Sequence, residues 1–195
     1  MHVGRPAVFC RFSGCNLWSG READREKAIC SFCDTEFVGT DGLNGGIYSA
    51  AELATKITQL WPSGKTSPFV VLTGGEPMLQ VDAPLLSALK GTGAYVAIET
   101  NGTKKVPLEL FDWVTVSPKA GAAWVQKQGD ELKLVYPQKD MDPGDYLREG
   151  RFDHYLLQPM DGARRIENTQ ATVRFCLGDP HWKVSLQLHK ILNLR

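Results

Sequence analysis

Five times along this chain an apolar run of strand length ends in a short polar or glycine-bearing segment. Residues 68–73 run into Gly74-Gly75, residues 95–99 into Thr100-Asn101-Gly102, and residues 113–116 into Ser117-Pro118-Lys119. Residues 154–157 run into Gln158-Pro159-Met160-Asp161, and a last run, 183–188, into His189-Lys190. Further strands are predicted at 7–12 and 132–136, and helical patterns at 49–60, 82–90 and 165–177. Ser49 with Glu52 three residues on is the signature of a capped helix start. Strands joined through helices run parallel, and the loops at their carboxyl ends converge on one mouth where ligands bind. The pattern predicts an α/β fold, a partial (β/α) barrel of parallel strands, about six of them and few helices, short of a closed eight-stranded barrel. No Pro/Gly/Ser-rich linker divides residues 1–195, so one domain is expected.

The cysteines narrow the chemistry. Four of the five, Cys10, Cys15, Cys30 and Cys33, fall in the first 33 residues, and the fifth is Cys176. An odd count behind a start with no signal-peptide shape speaks for a reducing, cytoplasmic setting rather than a disulfide framework. Cys15, Cys30 and Cys33, spaced C-x14-C-x2-C, lie in a long loop over 13–44 with a helical stretch expected at 21–29. Three thiolates suit zinc with a fourth ligand, or a 4Fe–4S cluster with one iron left open for a small chelating ligand. A second paired motif, usual for structural zinc, is missing, and a thioredoxin-type redox pair is the third reading. Cys10, in an apolar strand, and Cys176, on a helix, read as small hydrophobes. On the cysteines alone these readings stay open.

Charge and hydropathy remove other classes. The 22 basic residues cancel the 22 acidic ones, which is not the footprint of a nucleic-acid binder. No apolar run nears the roughly 20 residues that span a bilayer, so no membrane partner is expected.

Cys15…Cys30-x-x-Cys33-Asp34-Thr35, followed after a strand by Thr73-Gly74-Gly75-Glu76-Pro77, resembles the radical S-adenosylmethionine (SAM) superfamily. Gly4-Arg5-Pro6-Ala7-Val8-Phe9, Arg11-Phe12-Ser13-Gly14-Cys15-Asn16-Leu17-Trp18 and Phe32-Cys33-Asp34-Thr35 resemble one of its families, the 7-carboxy-7-deazaguanine synthases. So do Glu99-Thr100-Asn101-Gly102, Ser117-Pro118-Lys119, Gln158 to Asp161 and His189-Lys190, and the long first cysteine spacing matches one branch.

The resemblance implies a lyase that converts 6-carboxy-5,6,7,8-tetrahydropterin to 7-carboxy-7-deazaguanine with loss of ammonia, in queuosine and 7-deazapurine biosynthesis. It implies a 4Fe–4S cluster on Cys15, Cys30 and Cys33, with no catalytic residue beyond cluster and SAM. SAM contacts would come from Phe32, Cys33, Asp34, Glu76, Ser117, Pro118, Lys119, Gln158, Pro159, Met160 and Asp161. Thr35 would hold Mg2+, and Arg11, Gly74, His189 and the terminal carboxylate of Arg195 would contact the pterin. A flavodoxin- or ferredoxin-type electron donor and a homodimer are implied as well.

Plainer roles compete. Thr35 suits a local turn, Glu76-Pro77 a helix start, and Arg11 a solvated strand end. The family carries Gln-Gly-Glu-Gly just upstream of Gly-Arg-Pro, whereas Gly4 here follows Met1-His2-Val3. The expectation is therefore a chain that assembles the cluster and binds SAM but holds the pterin weakly. Other candidates are a glycyl-radical activase, a structural zinc module and a thiol oxidoreductase, the last leaving Gly74 to Pro77 unexplained.

Overall fold

The computed structural model describes residues 2–62 and 66–193. Among them one sheet holds seven strands: β1 (Val8–Phe12), β2 (Phe69–Gly74), β3 (Tyr95–Thr100), β4 (Trp113–Val116), β5 (Gln128–Tyr136), β6 (Arg151–Pro159) and β7 (Trp182–Val184). They lie in chain order and every neighbouring pair is parallel. Helices α1 (Ala50–Leu60), α2 (Ala83–Gly91), α3 (Pro143–Glu149) and α4 (Arg165–Gly178) fill crossovers, and α5 (Leu188–Ile191) follows β7. Parallel crossovers of one hand put the crossover helices on one face, and the sheet takes the form of a partial barrel.

Alternation along the strands separates the two faces. Val70, Leu72, Val96, Ile98, Val114, Val116, Leu132, Leu134 and Leu157 are buried and pack with Ala54, Ile57 and Leu89 of the helices. The opposite face begins with Phe69, Val71 and Ala97, against Tyr95 and Trp113, and turns polar toward the carboxyl ends. The register sets Arg11 beside Thr73, Glu99 beside Thr115, and Thr115 beside Glu131. One face is thus a hydrophobic seat for helices, and the other a polar wall leading to the carboxyl edge.

The capped helix start is present: Ser49 accepts from the Glu52 amide, and the Glu52 carboxylate accepts from the Ser49 amide at 2.8 Å. The seven strands correspond to the seven runs read from the sequence, and two expectations need correction. The final run stops at Val184, and Leu188 belongs to the helical turn α5, where Leu192 N–H returns to the Leu188 carbonyl. The stretch expected to be helical at 21–29 is a 3₁₀ segment, Glu22–Lys27. Helix α3 was not anticipated, although Asp142 caps it ahead of Pro143 in the manner such starts require. β5 starts earlier than its apolar run because Gln128 and Gly129 pair with Arg151 and Phe152 of β6, while the Asp130 carboxylate takes the Val114 N–H at 2.7 Å.

Candidate active site at the carboxyl edge of the sheet

Gly74 and Gly75 let the end of β2 meet the cysteine loop. A Cβ on Gly74, at φ +133°, would strike the Phe12 backbone, and one on Gly75 would strike the Gly14 carbonyl. The approach is locked by Gly75 N–H to the Phe12 carbonyl at 3.0 Å and Glu76 N–H to the Gly14 carbonyl at 2.9 Å. Glu76 turns inward and is fully buried. Its oxygens accept from Thr100 Oγ1 at 2.8 Å, Asn101 N–H at 2.7 Å and Met78 N–H at 2.9 Å. Burial pushes its carboxyl above the usual range, and these donors pull against that shift. Glu76 therefore staples the end of β2 to the end of β3. Asn101 Nδ2 then reaches Asn16 Oδ1 at 2.9 Å, which ties the same edge to the residue after Cys15.

The cysteine loop is held by its own network. Leu17 N–H points at Cys15 Sγ at 3.4 Å, and Cys30 N–H donates to the Leu17 carbonyl at 3.3 Å. Arg25 lies over the Trp18 ring, 4.1 Å from its centroid, and donates to the carbonyls of Ser31 at 2.9 Å and Cys33 at 3.0 Å. It thereby fixes both ends of the turn that brings Cys33 back beside Cys30. The Cys30 thiol donates to the Cys33 sulfur, which pulls Cys33 down to about 6 and pushes Cys30 up, burial adding to the rise. The charges of Cys15 and Lys119 both bear on Cys30.

These residues fit an iron–sulfur cluster: Cys30 and Cys33 adjoin, an N–H points at the Cys15 sulfur, and the charges of Cys15 and Lys119 are felt at Cys30. Among the described residues no three His, Cys, Asp or Glu side chains are gathered for a single metal ion. Zinc needs all its sulfurs about 2.3 Å from one point, whereas a cubane spreads them over its corners.

The remaining loops line the same edge. Lys119 Nζ donates to the Ser117 carbonyl at 2.5 Å and its hydroxyl at 2.9 Å, and burial lowers its pKa. Pro118 is buried between them. Gln158 and Pro159 end β6, and Met160 is fixed by its N–H to the Tyr136 carbonyl at 2.8 Å. Phe32 and Thr35 are half-buried beside Cys33, whose sulfur lies 3.9 Å from the Thr35 carbonyl. Asp34 and Asp161 are both bound by Lys190, and Asp34 also by Gln187 at 2.9 Å. That places α5, and His189 on it, next to the cysteine loop. His189 and Arg11 are exposed. Arg195 lies outside the described residues.

No protein-family model matches the chain. It is 54% identical over 194 residues to a 7-carboxy-7-deazaguanine synthase of Burkholderia multivorans, covering 99% of this chain and 91% of that one. The chain belongs to the 7-carboxy-7-deazaguanine synthase family. A synthase of Bradyrhizobium diazoefficiens is also 54% identical, over 100% of this chain and 92% of the relative. The crystal structure of QueE from Escherichia coli superposes with a TM-score of 0.67 at 25% identity, over 94% of this chain and 86% of that one.

Within this member of the 7-carboxy-7-deazaguanine synthase family, several residues of the site had no signal in sequence. Arg25 stands in the charged run Arg21–Lys27, which reads as a solvated face. Buried Gln138 ties the loop after β4 to the end of β5, accepting from Ala120 N–H at 3.0 Å and donating to the Val135 carbonyl at 2.8 Å. Lys133 reaches across the polar wall to Glu99 at 2.6 Å. Only the fold brings these partners together.

Proposed function

We propose that this chain is a radical SAM lyase converting 6-carboxy-5,6,7,8-tetrahydropterin to 7-carboxy-7-deazaguanine and ammonia, in the route to queuosine and other 7-deazapurines. The observation that carries the reading is the junction of Gly74-Gly75-Glu76 with the Gly14-Cys15 backbone, at the edge where Cys30 and Cys33 also meet. Full-length similarity to synthases of this name supports the substrate.

Cys15, Cys30 and Cys33 hold the 4Fe–4S cluster, and Lys119 offsets part of the thiolate charge. When bound, the cluster and SAM would supply the one-electron radical chemistry that the rearrangement of the pterin needs. The protein's part is to orient and enclose. Glycines at 74 and 75 let the end of β2 close on the cysteine loop, and Glu76 fixes that segment from behind. Phe32 and the backbone of Cys33-Asp34 face the adenosyl part of SAM, with Ser117 to Lys119 and Gln158 to Asp161 completing its contacts. Thr35 offers a hard oxygen to Mg2+, which substrate and water complete. Arg11, Gly74 and His189 bind the pterin. The enzyme works in the reducing cytoplasm as a homodimer and takes electrons from a flavodoxin- or ferredoxin-type donor. None of its five cysteines is disulfide-bonded, and no described helix is long and apolar enough to cross a membrane.

The test is anaerobic turnover of the iron-loaded chain with SAM, Mg2+ and 6-carboxytetrahydropterin, read by mass. Appearance of 7-carboxy-7-deazaguanine is expected, and Thr35→Ala should weaken its Mg2+ dependence while leaving the iron content intact. SAM cleavage with the pterin unchanged would remove the assigned substrate, and full Mg2+ activation of Thr35→Ala would remove the metal role.

A further inference from the structure

β1 and β7 are the two edges of the sheet and do not pair with each other, so the partial barrel is open along a seam. At the carboxyl end, the segment after β7 bridges that seam. Gln187 Nε2 donates to Asp34 Oδ2 at 2.9 Å and Lys190 Nζ donates to the same oxygen at 2.5 Å. The Lys190 ammonium also pairs with Asp161. Asp34 belongs to the loop after β1 and Asp161 to the loop after β6, so one ammonium joins three segments distant in the chain.

Apolar burial is not what holds this segment. α5 has four residues, none of them buried, and Leu186, Ile191 and Leu192 are 48%, 58% and 60% exposed. The sheet ladder ends where Ser185 N–H meets the Leu157 carbonyl at 2.8 Å. A single helical turn has no stability of its own in water. What remains is the polar clasp on Asp34 and Asp161, two carboxylates that repel unless a cation stands between them. Part-exposed ion pairs are weak enough to open and close.

We propose that Lys190 is a positioning residue that latches α5 across the open seam and so sets the place of its neighbour His189 at the mouth of the site. Pterin binding then depends on Lys190, whereas cluster assembly does not. The kinetic part of this inference rests on the reaction assigned above; the latch itself does not.

The experiment is amide hydrogen exchange over residues 187–192 of the full chain, comparing wild type, Lys190→Met and Lys190→Arg at low and high salt. Lys190→Met is expected to speed exchange there several-fold, with Lys190→Arg near wild type. About 0.5 M salt should move wild type toward Lys190→Met, because a part-exposed pair is screened. In the loaded enzyme, Lys190→Met should raise the pterin KM roughly tenfold with iron content unchanged. Unaltered exchange in Lys190→Met would overturn the latch, as would iron loss matching the rise in KM. Fast exchange in a chain that turns over no pterin would leave the latch standing and remove the assigned reaction instead.

Discussion

Arg25 shows how much a single side chain decides at the site. It stacks on Trp18, pairs with Glu22 at 2.8 Å and holds the carbonyls of Ser31 and Cys33, so the turn carrying two of the three thiolates depends on it. Arg25→Lys keeps the charge but loses the planar fork that reaches two carbonyls at once. Both Arg25→Met and Arg25→Lys are therefore expected to lose iron several-fold faster on desalting, with little change in unfolding midpoint. Retention equal to wild type would show that the cysteine turn stands without the arginine. Gly75→Ala makes a sharper case, because its Cβ has nowhere to go but the Gly14 carbonyl. It should displace Cys15 and abolish stable iron binding, as measured by iron and sulfide per chain. Ordinary iron content in Gly75→Ala would contradict the close approach of β2 to the cysteine loop.

At the scale of elements, stability and chemistry separate across the two faces of the sheet. α1 packs Ala54 and Ile57 on the apolar face, opposite the polar wall that leads to the carboxyl edge. Its cap is a stability device: Ser49→Ala should cost about 1 kcal/mol in denaturant unfolding and leave SAM cleavage unchanged. A cleavage rate that falls with the cap would mean that the helix layer is coupled to the site. Elements were legible in the sequence where a local period marked them. β2, β3 and β4 are short, mostly buried apolar runs that give way to glycine or proline within two residues, and the cap of α1 is spelled out by Ser49 and Glu52. α5 was misread because Lys183 to Leu188 has strand-like spacing, yet only Trp182–Val184 has a neighbour to pair with. α3 was missed because seven residues with one buried side chain, Pro143, leave no hydrophobic stripe.

The whole molecule places its chemistry where chain order alone does not. The cysteines, the glycine pair and the five segments after strands were readable as one constellation, because each is local and the parallel fold collects strand ends on one edge. Partners far apart in sequence were not: Asp34 and Lys190 are separated by 156 residues, and Lys133 and Glu99 by 34. Nothing in a charged residue's own neighbourhood says which distant charge it will meet. The inward turn of Glu76 likewise followed only from the fold, which surrounds its carboxylate with three donors. On the proposed reading this edge holds a 4Fe–4S cluster with one iron open to SAM. Electron paramagnetic resonance of the reduced, iron-loaded chain with and without SAM, beside its iron count, tests it at once. About four irons per chain and a signal that shifts when SAM is added are expected, both lost in Cys30→Ala. A chain that takes up zinc instead of iron, or a cluster signal that SAM leaves unmoved, would contradict it.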